Sequence, residues 1–218
     1  MLAEAGCDLD GSFSPELLHR AHHAAIARFD ARPGIVAALL DSDSDAEVVY
    51  RAYDHSLAVE LGLPDDKLEA AIAALALLFR SDGWGTIVPG SIEGLRALAA
   101  TGVRLGVVSN ADGSVERRLR SEGVLQVGRG PGVEVEVVID SGAVGAAKPD
   151  PRIFRFALDA LGLEPDEVVH VGDSVAMDVV GALAAGVTPL HLDPFGDCPG
   201  GPEHDHIRSL AELADRLT

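Results

Sequence analysis

The pattern of apolar positions changes character near residue 85. Before that point apolar residues recur at helical spacing. Leu17, Leu18, Ala21, Ala24, Ala25 and Phe29 follow a period near 3.6 and predict an amphipathic helix. Ser14 ahead of Pro15 gives that helix an N-cap and a proline at its first position. Ala46 to Leu61 reads as a second helix, stopped by Gly62 and Pro64. Asp65 or Asp66 caps a third, which runs through Leu68, Ile72, Leu75 and Phe79 and ends near Gly83. Three helices with no strand between them predict a small helical bundle over residues 1–84.

From residue 85 short apolar runs alternate with helical stretches. Strands are predicted at Arg104 to Val108, Val133 to Ile139, Glu167 to Val171 and Thr188 to Leu192. Helices are predicted at Ile92 to Ala100, Val115 to Glu122, Arg152 to Leu161, Val179 to Ala185 and Ser209 to Leu217. This alternation predicts an α/β unit over 85–218, a parallel sheet with helices on its faces. Short runs such as Val168-Val169-His170-Val171 fit strands buried on both sides. Ligands of such sheets sit at the carboxyl ends of the strands, so polar residues there are the candidates for chemistry.

Composition narrows the function classes. Apolar residues make up 47% of 218, enough for a sizeable core. No apolar run approaches the roughly 18 residues of a membrane helix. No basic segment followed by an apolar one opens the chain, so a cytoplasmic location without a membrane partner is expected. The formal charge of −18 disfavours nucleic acid. It leaves open a small anionic substrate, because local groups and a bound cation decide that. Cys7 and Cys198 are far apart, which fits a reducing compartment and supports no zinc site of their own. Of the 17 basic residues only Lys67 and Lys148 are lysines, which draws attention to both.

Three signals stand at strand ends. Ser109-Asn110 follows the run Arg104 to Val108; a hydroxyl and an amide there can hold phosphate oxygens, or merely cap the next helix. Lys148, before Pro149-Asp150, is either a solvated loop lysine or an ammonium that neutralises a carboxylate and a phosphoryl oxygen together. Gly172-Asp173-Ser174, with Asp178 and Gly181 beyond it, is the most specific. Gly172 is suited to a close backbone approach to a ligand. Asp173 is a hard oxygen ligand for Mg²⁺, and Asp178 is either a second metal ligand or a group that orients Lys148.

Val107 to Asn110, Lys148 to Phe154 and His170 to Gly186 resemble, in order and spacing, the second, third and fourth motifs of the haloacid dehalogenase-like (HAD) hydrolase superfamily. The resemblance implies a Rossmann-like parallel-sheet core with an inserted or N-terminal helical cap, which residues 14–83 fit. It implies a phosphatase that works through an aspartyl-phosphate, with Mg²⁺ as cofactor and a small phosphorylated metabolite as substrate. By the same resemblance Ser109 binds phosphoryl oxygens with Asn110 beside it, Lys148 stabilises developing charge, Asp173 binds the metal and Asp178 supports the site.

The family's first motif supplies the nucleophile and the acid/base. Asp8-Leu9-Asp10-Gly11 matches it as a string, which would make Asp8 the nucleophile and Asp10 the acid/base. The residues ahead of it argue otherwise. Met1 to Cys7 has no β-branched residue, carries Glu4 at its middle and has Gly6 near its end, so it makes a poor central strand. Leu2 to Gly6 reads instead as a last helical turn closed by glycine. The opening stretch also looks like the beginning of the cap in actinobacterial-type members of the superfamily. The expectation is therefore that the nucleophile strand precedes this chain, and that Asp8 and Asp10 lie away from Asp173.

Two further readings remain: a 2-haloacid dehalogenase-type hydrolase, which attacks carbon and needs no metal, and a non-catalytic protein without a nucleophile. Among other features, His22 and His23 are expected to be partly exposed, and Trp84 to pack at a hinge. Asp41 to Asp45 lacks the glycine and glutamate of a calcium loop. Asp193 to Arg208, rich in Gly, Pro, Asp and His, is expected to be a surface loop, although His204 and His206 could take a metal ion.

Overall fold

The computed structural model describes residues 13–41, 46–79 and 87–218. Cys7, Asp8, Asp10, residues 42–45 and Trp84 lie outside the described residues, and so do the expectations placed on them. The chain divides into two compact units. One lies within the first 89 residues and includes Phe195–Gly200; the other comprises Gly90–Pro194 and Gly201–Thr218.

The helical unit contains α1 (Pro15–Asp30), α2 (Ile35–Leu40), α3 (Ala46–Glu60), a 3-10 turn at Asp65–Lys67, and α4 (Leu68–Phe79). Ser14 caps α1 as its position suggests, its Oγ accepting from the Leu17 N–H at 3.2 Å. Helix α3 packs on both α1 and α4. Ala21, Ala25 and Phe29 of α1, Tyr53 and Leu57 of α3, and Ala71, Ile72 and Leu75 of α4 are buried. The buried stripe of α1 is rotated from the one the apolar spacing suggests. Leu17 is exposed while His23 is buried, against the expectation of partial exposure. A ring cluster explains why: the His23 ring lies 4.9 Å from His19 and 5.6 Å from Phe195, which belongs to the same unit. Helix α2 was not evident in the sequence. It is a six-residue segment opened by Gly34 at φ 77°, too short to show a period.

The second unit runs α5 (Ser91–Ala100), β1 (Gly106–Ser109), α6 (Val115–Ser121), β2 (Leu125–Val127), β3 (Val133–Val135), β4 (Val137–Asp140), α7 (Ser141–Val144), α8 (Arg152–Leu161), β5 (Val169–Gly172), α9 (Val180–Ala185), β6 (Thr188–Leu192), β7 (Asp205–Ile207) and α10 (Leu210–Arg216). A π-helical turn at Val175–Val179 leads into α9. Strand β1 pairs with β4, β2 with β3, and β5 with β6 with β7, every pair parallel. This is the α/β architecture that the alternation predicts.

The run Val133 to Ile139 is not one strand. It breaks at Glu136, so that β3 adds to β2 and β4 to β1. The break is fixed from outside: the Glu136 N–H donates to the Leu105 carbonyl at 2.8 Å, and Arg104 grips its carboxylate through two hydrogen bonds of 2.7 Å. The segment expected as a loop after Asp193 likewise contains β7. Beneath the strands, Ile139, Ile153, Phe154, Leu158 and Val187 form one buried cluster, and Leu125, Val133 and Val135 another. Among the described residues no helix is long and apolar enough to cross a membrane.

Helices α5 and α10 meet at Gly94, where a β-carbon would lie 2.9 Å from Leu210 Cβ and 3.1 Å from the Ala211 nitrogen. Alanine in place of a mid-helix glycine ordinarily adds up to about 1 kcal/mol of stability. At Gly94 the helices would have to separate, so Gly94→Ala is expected to destabilise the protein by about 1–3 kcal/mol. Urea denaturation followed by circular dichroism measures the sign.

Candidate active site

Strands β1 and β4 end together, with Ser109 and Asp140 as register partners. Asp140 anchors the loop that follows β1. Its carboxylate accepts from the N–H groups of Gly113 at 2.8 Å, Val115 at 3.1 Å and Gly142 at 2.9 Å, which secures the starts of α6 and α7 at once. Ser141 Oγ ties the same loop from the other side, accepting from the Ala111 N–H at 2.9 Å and lying 3.0 Å from the Ala111 carbonyl. The loop carrying Ser109 and Asn110 is thereby held in one conformation.

Asn110 uses its amide as a backbone clamp. Its Nδ2 donates to the Lys148 carbonyl at 2.9 Å, and its Oδ1 accepts from the Lys148 N–H at 2.7 Å. This pins the segment before the cis Lys148–Pro149 peptide. The Lys148 side chain reaches Asp178, with Nζ 2.6 Å from Oδ1; the two side chains are only 13% and 5% exposed.

Asp178 is reached by three donors. Beyond Lys148, His170 Nε2 lies 2.8 Å from Oδ1, and the Ser174 N–H donates to Oδ2 at 3.1 Å. The π-helical turn sets its position: the Asp178 and Val179 N–H groups both point to the Ser174 carbonyl, at 2.8 and 3.2 Å, widening the first turn after β5. Gly172 leaves the room. A β-carbon there would lie 2.1 Å from Asp178 Cγ, so the close approach that this glycine permits is to a side chain of the protein itself. Gly181 plays the same part against the lysine segment, its missing β-carbon 3.0 Å from Pro149 Cα. Burial alone would raise the Asp178 carboxyl, but the Lys148 charge and the His170 hydrogen bond overcome it and hold the group well below the usual carboxylate range. His170 in turn packs edge-on against Phe154, with ring centroids 4.8 Å apart.

The structure thus draws Asn110, Lys148 and Asp178 into one hydrogen-bonded chain, with Ser109 next to it at the end of β1. Asp173 follows Gly172 at the end of β5, and its carbonyl meets His191 Nε2 at 3.1 Å. Asp8 and Asp10 are outside the described residues. His170 and Asp140 were not singled out from the sequence, and Ser174 appeared there only as part of the Gly172-Asp173-Ser174 string. A polar residue inside the strand Val169-His170-Val171, and an aspartate closing Val137-Val138-Ile139, were the available signals.

A family model described as haloacid dehalogenase-like hydrolase matches residues 17–186. A phosphoserine phosphatase of Thermus thermophilus is 33% identical over 90% of this chain and 73% of its own length. A phosphoglycolate phosphatase of Rhodospirillum rubrum is 33% identical over 95% of this chain and 83% of its own length. Among solved structures, a HAD phosphatase from Thermococcus onnurineus is 26% identical with a TM-score of 0.52, covering 94% of this chain and 92% of its own.

A carboxyl whose folded pKa is depressed adds stability above its unfolded pKa, near 4, and loses it as pH falls toward the folded value. Asp178→Asn is therefore expected to destabilise the protein by about 3–5 kcal/mol at pH 7, by leaving Lys148 buried without its counter-ion. Between pH 4 and about pH 2 the gap between the two proteins should narrow. Denaturant titrations across that range check it; parallel pH profiles would contradict the assignment.

Proposed function

The chain belongs to the haloacid dehalogenase-like hydrolase family, and from that premise we propose that it is a phosphatase acting on a small phosphate monoester. The observation that carries the reading is the part-buried Lys148 ammonium, held by the buried Asp178 just beyond β5, near the strand ends where ligands of parallel sheets gather. A cation fixed in a site of low dielectric is suited to stabilising the extra charge on a phosphoryl group in transit. The phosphatases named among its relatives support the same class of substrate.

In this proposal Ser109 donates to a phosphoryl oxygen, and Asn110 acts through the backbone of Lys148. Asp178 keeps the Lys148 side chain aimed, and donors already occupy both of its oxygens. Asp173 would hold the metal. A hard carboxylate at a strand end, completed by waters and substrate oxygens, fits Mg²⁺, which favours one or two carboxylates over a full protein cage. Bound there, Mg²⁺ would offset phosphoryl charge and orient the ester.

The attacking group is an aspartate carboxylate. It forms a bond to phosphorus as the ester oxygen leaves with a proton from a neighbouring acid, and water then cleaves the aspartyl-phosphate. Asp8 and Asp10 match these two roles as a string, while the residues ahead of them make a poor central strand. The helical unit serves as the cap that selects the substrate.

The test is release of inorganic phosphate from an aryl phosphate by the chain with Mg²⁺ and with EDTA. Phosphate release that EDTA abolishes is expected, with Lys148→Ala lowering kcat by roughly 10²–10³ and Asp173→Asn removing the response to Mg²⁺. Asp8→Asn decides the nucleophile: lost turnover assigns that role to Asp8, and retained turnover removes Asp8 from the site. Halide release from a 2-haloacid without metal, and no phosphate release, would overturn the proposal.

A further inference from the structure

Strand β7 lies parallel to β6 with His191 and His206 as register partners, so their side chains emerge as neighbours on one face of the sheet. His204 stands two residues before His206, the spacing that returns a side chain to the same face. The three imidazoles gather there. Ring centroids are 5.3 Å apart for His191 and His204, 5.2 Å for His191 and His206, and 4.7 Å for His204 and His206. One ring nitrogen from each lies within 4.8 Å of the others.

The state of each ring suits a ligand. His191 is 4% exposed, and its Nε2 faces the Asp173 carbonyl, which can only accept. That contact fixes the proton on Nε2 and leaves Nδ1 with its lone pair. Nδ1 is buried without a hydrogen-bond partner, a position that costs free energy unless something fills it. His204 Nδ1 lies 2.6 Å from the Pro202 carbonyl, and His206 Nδ1 lies 3.4 Å from Asp193 Oδ2. A carbonyl or carboxylate behind a ring is the outer contact that orients ligating histidines.

We propose that His191, His204 and His206 form a site for a divalent transition metal of the zinc type, separate in chemistry from the carboxylate Mg²⁺ site at Asp173. Imidazole donors select zinc, cobalt, nickel or copper over magnesium. Nitrogens bound at 2.0–2.1 Å around a tetrahedral ion sit roughly 3.4 Å apart, so the rings close by about an ångström on binding. Metal there ties β7 to β6. Through the His191–Asp173 contact it also stiffens the strand end on which Asp173 sits.

The test is equilibrium dialysis of the tag-free full chain against Co²⁺ in the presence of excess Mg²⁺, with metal content and the visible absorption of bound Co²⁺ as readouts. A single tightly held equivalent with the intense spectrum of a tetrahedral site is expected, displaced by Zn²⁺. The exposed-side variant His204→Ala/His206→Ala should keep its circular dichroism and lose that equivalent, while Asp173→Asn should retain it. No stoichiometric uptake by the unaltered chain would overturn the proposal. So would uptake unchanged by the double substitution, or uptake lost in Asp173→Asn alone.

Discussion

Lys148 and Asp178 occupy a space that neither could hold alone. Each charge, taken out of water singly, would cost several kcal/mol. Together they form an ion pair, with His170 and the Ser174 N–H completing the carboxylate. Much of the surrounding structure accommodates this pair. Gly172 and Gly181 give up their β-carbons to it, the π-helical turn brings Asp178 back over β5, and the Asn110 amide fixes the backbone from which Lys148 departs. Remove any of these and the lysine either loses its counter-ion or its aim.

The same economy of support runs through the strand ends. Asp140 satisfies three N–H groups from one carboxylate and so immobilises the Ser109–Asn110 loop. The proposed phosphatase chemistry calls for such rigidity, because dipoles and cations already in place need not reorganise during reaction. The fold of the haloacid dehalogenase-like family supplies the platform, a Rossmann-like set of parallel strands.

Much of this was legible in the sequence because local patterns were unopposed. Ser14-Pro15 opens α1, the span of α8 matches its apolar period, and Thr188–Leu192 is the strand that its residues suggest. Asn110, Lys148 and Asp178 were recognisable as strand-end polar groups, and their separation in sequence matches the motifs that the structure joins. What was hidden depended on tertiary partners. Val133 to Ile139 reads as one strand until Leu105 and Arg104 claim Glu136. The true neighbour of Gly172 is a side chain six residues on. The histidines around β7 looked like loop residues because nothing local links them to His191; only the pairing of β6 with β7 does so.

A double-mutant cycle between Lys148→Met and Asp178→Asn, read in both stability and phosphatase kcat/KM, tests most directly whether this pair organises the site. Strong non-additivity is expected, with the double variant no less stable than either single one and the activity losses far from summing. Additive losses would show that the two residues act independently and would contradict it.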